Sequence, residues 1–237
     1  MTYRYRKTVN ILEKLNAQQT RLIMFDLDGT LVDSVPDLAF AIDAMLLDMR
    51  RPFAGLNKVR LWVGNGAAML VKRALSDNIK PVELDESLYQ EGYGLFLKYY
   101  QQVNGKQSQL YPKVLDTLIQ LRKTFTYLAL ITNKPEQFTQ PLLDHHGIPK
   151  FDLLVCGDTL ATRKPDPAQL LYCLDKLGCR ANEALMVGDS VNDIKAAKAA
   201  NVPIVCVNYG YHQGENLLDH GPDKLIERFD ELVSEER

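Results

Sequence analysis

The stretch 21–34 constrains the fold more than any other part of the chain: it reads R-L-I-M-F-D-L-D-G-T-L-V-D-S. Four apolar side chains run unbroken from Leu22 to Phe25 and meet a carboxylate at Asp26. The turn formers Asp28-Gly29-Thr30 follow. A short apolar run bounded by turn residues is a strand buried on both faces, so 21–26 is expected to be a strand leading into a tight loop. Similar runs recur at 127–131, 153–156, 184–187 and 203–207, with helical patterns at 135–146, 167–177 and 191–200. Strand and helix in alternation predict an α/β fold, a parallel sheet covered on both faces.

The segment 35–104 breaks this rhythm. Its pattern is helical at 36–49, 66–76 and 85–103, and no strand run interrupts it. The expected organisation is an N-terminal extension (1–20, with a short amphipathic helix at 9–15), a sheet core (21–34 and 105–237) and an all-helical insertion (35–104). A chain of 237 residues, 46% hydrophobic and 24% charged, can bury a core without disulfides or structural metals. With 28 basic and 30 acidic residues the net charge is −2, which leaves no electrostatic footprint for nucleic acid or an anionic membrane. No apolar run reaches the roughly 18 to 20 residues of a membrane span. The polar, basic start lacks a signal-peptide centre, and the expected location is the cytoplasm. Cys156, Cys173, Cys179 and Cys206 form no C-x-x-C pair and lie in apolar or helical surroundings, so buried reduced thiols are expected.

In a parallel sheet, ligands bind beyond the carboxyl ends of the strands. Here those ends carry Asp26, Thr132-Asn133 and Gly188-Asp189. Asp26 reads as a carboxylate nucleophile on phosphorus. Asp28, on the same side of an extended chain, can protonate the leaving alkoxide and then activate water. Gly29 lets the backbone approach a phosphate, and Gly29 and Thr30 are expected to line it. A carboxylate attacking a phosphate needs positive charge in place beforehand. Asp189 can join Asp26 in holding a hard cation, for which Mg²⁺ is best suited. Lys164, in a loop stiffened by Pro165 and Pro167, is a fixed point charge; taken alone it would read as an exposed lysine before a helix. Asn133 also fits a turn, Ser190 fits a helix cap, and Asp193 fits both a cap and a place behind the cation. Trp62 reads as a packed anchor, and His145 and His146 as the end of a helix.

These motifs, in this order and spacing, resemble the haloacid dehalogenase superfamily over nearly the whole chain after Thr20. The resemblance implies a Rossmann-like parallel sheet core with an inserted all-helical cap at 35–104. It implies Asp26 as nucleophile, Asp28 as acid and base, Thr132 on the phosphoryl group and Lys164 on nucleophile and phosphate. Mg²⁺ would be held by Asp26, Asp189 and the main-chain carbonyl of Asp28, with Ser190 and Asp193 behind it. Within the superfamily, the phrases 25–34, Trp62-Val63-Gly64-Asn65-Gly66, Thr132-Asn133-Lys134-Pro135 and Asn208-Tyr209-Gly210-Tyr211 are similar to bacterial phosphatases of 2-phosphoglycolate. Gly64, Asn65 and Gly66 would then present a specificity turn to the substrate, and Asn133 would join Thr132 on it. The expected activity is Mg²⁺-dependent hydrolysis of this small phosphorylated metabolite to glycolate and phosphate, through an aspartyl-phosphate on Asp26. The alternatives are a phosphatase of another small phosphomonoester or a sugar phosphomutase. A dehalogenase would not carry Asp28, and a non-catalytic binding protein should lack one of Asp26, Asp28, Lys164 or Asp189.

Overall fold

A computed structural model of the chain describes residues 20–233. The expected extension, with its candidate helix at 9–15, lies outside the described residues apart from Thr20.

Six parallel strands form the sheet, in the spatial order β5-β4-β1-β6-β7-β8. They are β1 (Leu22–Phe25), β4 (Tyr127–Ile131), β5 (Leu153–Val155), β6 (Ala184–Gly188), β7 (Ile204–Val207) and β8 (Lys224–Ile226). β1 lies in the middle, with Phe25 beside Leu130 of β4 and beside Val187 of β6. All four β1 side chains are fully buried. Ile23 and Phe25 enter one apolar cluster and Leu22 and Met24 the other, which is the two-residue alternation of a strand between two helical layers. Each such side chain contributes about 1.5–3 kcal/mol by leaving water. The chain builds outward from β1 through β4 to β5, then returns to the other side through β6, β7 and β8. That reversal opens a crevice at the carboxyl edge beside β1.

The helical insertion comprises α1 (Val35–Asp48), α2 (Gly55–Trp62), α3 (Ala67–Ser76) and α4 (Glu86–Val103). It has its own apolar cluster, in which Ile42, Met45, Trp62, Leu70, Phe96 and Tyr100 meet Phe138 and Tyr211 of the sheet body. Trp62 is buried as expected. Asp85 caps α4, accepting from the N–H groups of Ser87 and Leu88. Where the chain leaves the sheet body and returns to it, β2 (Val32–Asp33) and β3 (Gln109–Leu110) pair antiparallel.

Completing the sheet body are α5 (Val114–Thr124), α6 (Glu136–His145), α7 (Ala168–Leu177) and α8 (Val191–Ala199). The expected strands and helices end within one residue of these bounds. The expectations omit α2, α5, β8 and the β2–β3 pair. α2 buries only Val59 and Trp62, and β8 is three residues on the sheet edge of which only Ile226 is buried, so neither carries an apolar run. α5 does carry a helical period, with Val114, Leu118 and Leu121 buried.

Candidate active site

Two strand ends and the first turn of α8 converge on one cluster of acids. Asp26 follows β1, Asp189 follows β6, and Asp193 lies in the first turn of α8. Their carboxylates can each present an oxygen within 4.8 Å of the others. Lys164 neutralises part of this charge. Its buried ammonium donates to Asp26 Oδ1 at 2.9 Å, Asp193 Oδ1 at 2.6 Å and the Ile131 carbonyl at 2.7 Å, so all three hydrogens are used. The exposed-lysine reading of Lys164 is therefore set aside. Burial disfavours its charge, but Asp193 and Asp26 outweigh that and hold it protonated.

The Lys164 loop is anchored by Gln169, a fully buried residue of α7. Gln169 Oε1 accepts from the Lys164 N–H, and its Nε2 donates to the carbonyls of Thr132 and Cys156. Ser190 and Asp193 form the capping box that opens α8, as the S-V-N-D pattern predicts. Asp193 Oδ2 accepts from Ser190 Oγ at 2.6 Å and from the Ser190 and Asp189 N–H groups, so Asp193 is fully engaged as a brace behind the site.

Asp189 is held from two sides. Thr30 Oγ1 donates to its Oδ1 at 2.8 Å and the Tyr211 N–H to its Oδ2 at 2.6 Å. The Thr30 side chain is fully buried behind Asp189, which departs from its expected place on the phosphate. Gly29 has φ +95°, and a Cβ there would stand 2.2 Å from Asp189 Oδ2. Only glycine leaves room for this close approach. Burial pushes the Asp26 carboxyl up to about 7, with Lys164 pulling down and Asp193 pushing further up. Burial, Asp26 and Asp193 raise Asp189 well above the carboxylate range. These acids resist ionising together, and a hard cation between Asp26 and Asp189 is the charge that would let them.

A pocket joins this cluster to the insertion, with Asp26, Asp28, Thr132 and Lys134 contributed by the sheet body and Leu38, Leu70, Phe96 and Tyr100 by the insertion. Gly64 and Gly66 also line it. The Asn133 Nδ2 donates to the carbonyls of Gly64 and Lys164, tying the insertion to the Lys164 loop. Asn65 does not line the pocket. Its Oδ1 accepts from Gln213 Nε2 at 3.0 Å, so the side chain braces the turn against the loop after β7. Gly66, at φ +83°, immediately precedes α3, and Ala67 opens that helix onto the pocket.

Sequence reasoning assigned no role to Lys134, Tyr100, Gln169, Tyr211 or Gln213. Lys134 stood in the quoted phrase 132–135, but spacing cannot tell a buried lysine from a solvated one. The four cysteines are buried and unpaired; burial pushes the Cys156 thiol up to about 11 and that of Cys173 to about 12, which leaves them protonated and unreactive. His146 Nε2 lies 2.9 Å from Ser108 Oγ, away from the acids.

A Rossmann-like sheet with a helical insertion over an acid–lysine cluster defines a class of phosphoryl-transfer hydrolases. The sequence profile of haloacid dehalogenase-like hydrolases matches residues 20–201, and the chain belongs to that family. It is 47% identical over 214 residues to the phosphoglycolate phosphatase of Pseudomonas syringae pv. syringae, covering 90% of this chain and 78% of that one. It is 45% identical over 216 residues to the phosphoglycolate phosphatase of Nitrosococcus oceani, covering 91% and 96%. The crystal structure of a predicted phosphoglycolate phosphatase from Haemophilus somnus superposes with a TM-score of 0.84 at 38% identity, over 91% of this chain and 97% of that one.

Proposed function

We propose that the chain is a Mg²⁺-dependent phosphatase that hydrolyses 2-phosphoglycolate to glycolate and phosphate. The observation that carries the reading is the meeting of Asp26, Lys164 and Asp189 in a pocket that also holds Asp28. The likeness to phosphatases of that substrate supports the choice of ester.

Asp26 attacks phosphorus and carries the phosphoryl group as an aspartyl-phosphate. Lys164, with every hydrogen directed to fixed partners, spreads positive charge over Asp26 without reorganising. Thr132 contributes a buried hydroxyl at the end of β4, on the pocket wall. Asp28 gives a proton to the leaving glycolate oxygen and later takes one from the water that hydrolyses the phosphoenzyme. The buried carboxylates fit a hard, oxygen-liganded cation, with Asp26 and Asp189 as side-chain ligands and the Asp28 carbonyl as a third. When bound, Mg²⁺ would offset the charge of the acids and of the phosphate. Asp193 and Ser190 hold the Asp189 loop in register.

Residues 35–104 act as a lid over this core, and Gly64, Gly66 and the start of α3 face the far end of the substrate. The free N–H groups at a helix start favour an anion there. Phosphate release from a panel of small phosphomonoesters, with Mg²⁺ and with chelator, tests the reading. Preferred release from 2-phosphoglycolate, lost in chelator, is the expected result. Isomer formation from a sugar phosphate in place of phosphate release would turn the assignment to a mutase.

A further inference from the structure

We propose that Lys134 supplies the charged contact to the carboxylate of the substrate, beside the N–H groups at the start of α3, with Tyr100 of the insertion positioning it. The inference rests on the 2-phosphoglycolate reading above. Lys134 follows β4 by three residues and is 5% exposed. Its ammonium donates to Asp28 Oδ1 at 3.0 Å, to Asp28 Oδ2 at 3.2 Å and to the Tyr100 hydroxyl. It also lies 4.9 Å from the centre of the Tyr100 ring. Among the described residues that line the pocket, Lys134 carries the one positive side chain. Lys164 is not such a group, since its hydrogens all point to Asp26, Asp193 and Ile131.

The substrate's shape decides what such a cation can do. In 2-phosphoglycolate a single methylene separates the ester oxygen from the carboxylate. A residue that protonates the ester oxygen and a cation that holds the carboxylate must therefore be neighbours. Asp28 and Lys134 are such a pair, in direct contact. When Asp28 turns to the leaving oxygen, a Lys134 hydrogen is released to the carboxylate. The rest of the far wall is apolar, with Leu38, Leu70 and Phe96. A carboxylate pressed there without a partner would pay the full cost of desolvation. Tyr100 sits on α4, so the cation is fully positioned only when the insertion is docked against the core. A buried ion pair serving stability alone is readily replaced by apolar side chains, whereas this one opens onto the pocket.

The test compares 2-phosphoglycolate with ethyl phosphate, a two-carbon ester without the carboxylate. The measured quantity is the ratio of their kcat/KM values in the full chain with Mg²⁺. In the unaltered protein the ratio should strongly favour 2-phosphoglycolate. Lys134→Met should lower it about 10- to 100-fold, the worth of a hydrogen bond to a charged group. Any general damage to Asp28 lowers both substrates together and leaves the ratio alone. Lys134→Gln keeps a polar side chain without the charge, and carries the test if Lys134→Met does not fold. Tyr100→Phe should lower the ratio less, since the charge remains. A ratio that Lys134→Met and Lys134→Gln leave unchanged overturns the role of Lys134. A ratio near one in the unaltered protein removes the 2-phosphoglycolate reading, and this inference with it.

Discussion

Asp189 is hemmed in by its neighbours: Thr30 and the Tyr211 N–H hold its oxygens, and Gly29 leaves it room. Gly29→Ala would drive a methyl group into that carboxylate at a φ that alanine resists. We expect it to weaken Mg²⁺ binding by about 10- to 100-fold, the range for disturbed support of a metal ligand; calorimetric titration measures this, and unaltered affinity would count against Asp189 as a ligand. Asp26→Asn should abolish phosphate release, because an amide is a far poorer nucleophile than a carboxylate. Asp28→Asn should slow alkyl phosphates by about 10² to 10⁴ and aryl phosphates less, because a good leaving group needs less proton donation. Equal losses on both substrates would argue against Asp28 as the acid. Asp26, Asp28 and Asp189 could be read in the chain because they stand at or just beyond strand ends, while Lys164, in the loop before α7, came only with the order of the motifs. Thr30 and Asn65 were misplaced because their partners, Asp189 and Gln213, come from about 150 residues away in sequence. Tyr211 meets Asp33 and Val35 across a similar distance, while Lys134 and Gln169 carry no local pattern that tells a buried polar side chain from a solvated one.

Between the elements, Tyr211 is the joint. Its hydroxyl donates to Asp33 Oδ1 at 2.6 Å and accepts from the Val35 N–H, which opens α1. Arg60 of α2 pairs with Asp33 at 3.0 Å and lies 5.3 Å from the Tyr211 ring centre. One residue therefore links Asp189, through its N–H, to two helices of the insertion, through its side chain. Tyr211→Phe leaves a buried N–H without its partner. It should cost about 1–3 kcal/mol in urea unfolding, with a larger loss in kcat/KM than in the affinity for Mg²⁺. No change in stability would mean that water replaces the hydroxyl. The long elements were legible from their apolar period. The β2–β3 pair and β8 were not, since two-residue strands and an edge strand with one buried side chain are fixed by their partners rather than by their own side chains.

For the whole molecule, the acid cluster makes metal and proton alternative ways of relieving one charge. Folding raises the Asp26 carboxyl from its ordinary value of 3.8 to about 7. The folded chain then holds a proton that the unfolded chain gives up, so this contribution is present at low pH and is lost as pH rises toward 7. The metal-free protein should lose stability between about pH 4 and 7, and Mg²⁺ should restore it at the upper end. At a hundred times its dissociation constant the ion adds about 2.7 kcal/mol, a rise in Tm of roughly 5 to 10 °C for a chain of this size. Thermal unfolding at several pH values, with and without Mg²⁺, checks both; a Tm indifferent to Mg²⁺ at neutral pH would contradict the cluster as a cation site. The β2–β3 pair bears on another property of the molecule. Its strands lie side by side, about 4.5 to 5.5 Å apart as in any antiparallel ladder, and Asp37 of α1 clasps the N–H groups of Gly105 and Gln107 beside them. The insertion thus departs and returns through adjacent points. The two ends set no length for the chain between them, and a bundle of another size could be spliced there provided it kept the contacts of Tyr100 with Lys134 and of Val35 and Arg60 with Tyr211 and Asp33. A scaffold attached in this way can diversify its substrates by exchanging one contiguous stretch of gene while its chemistry stays fixed.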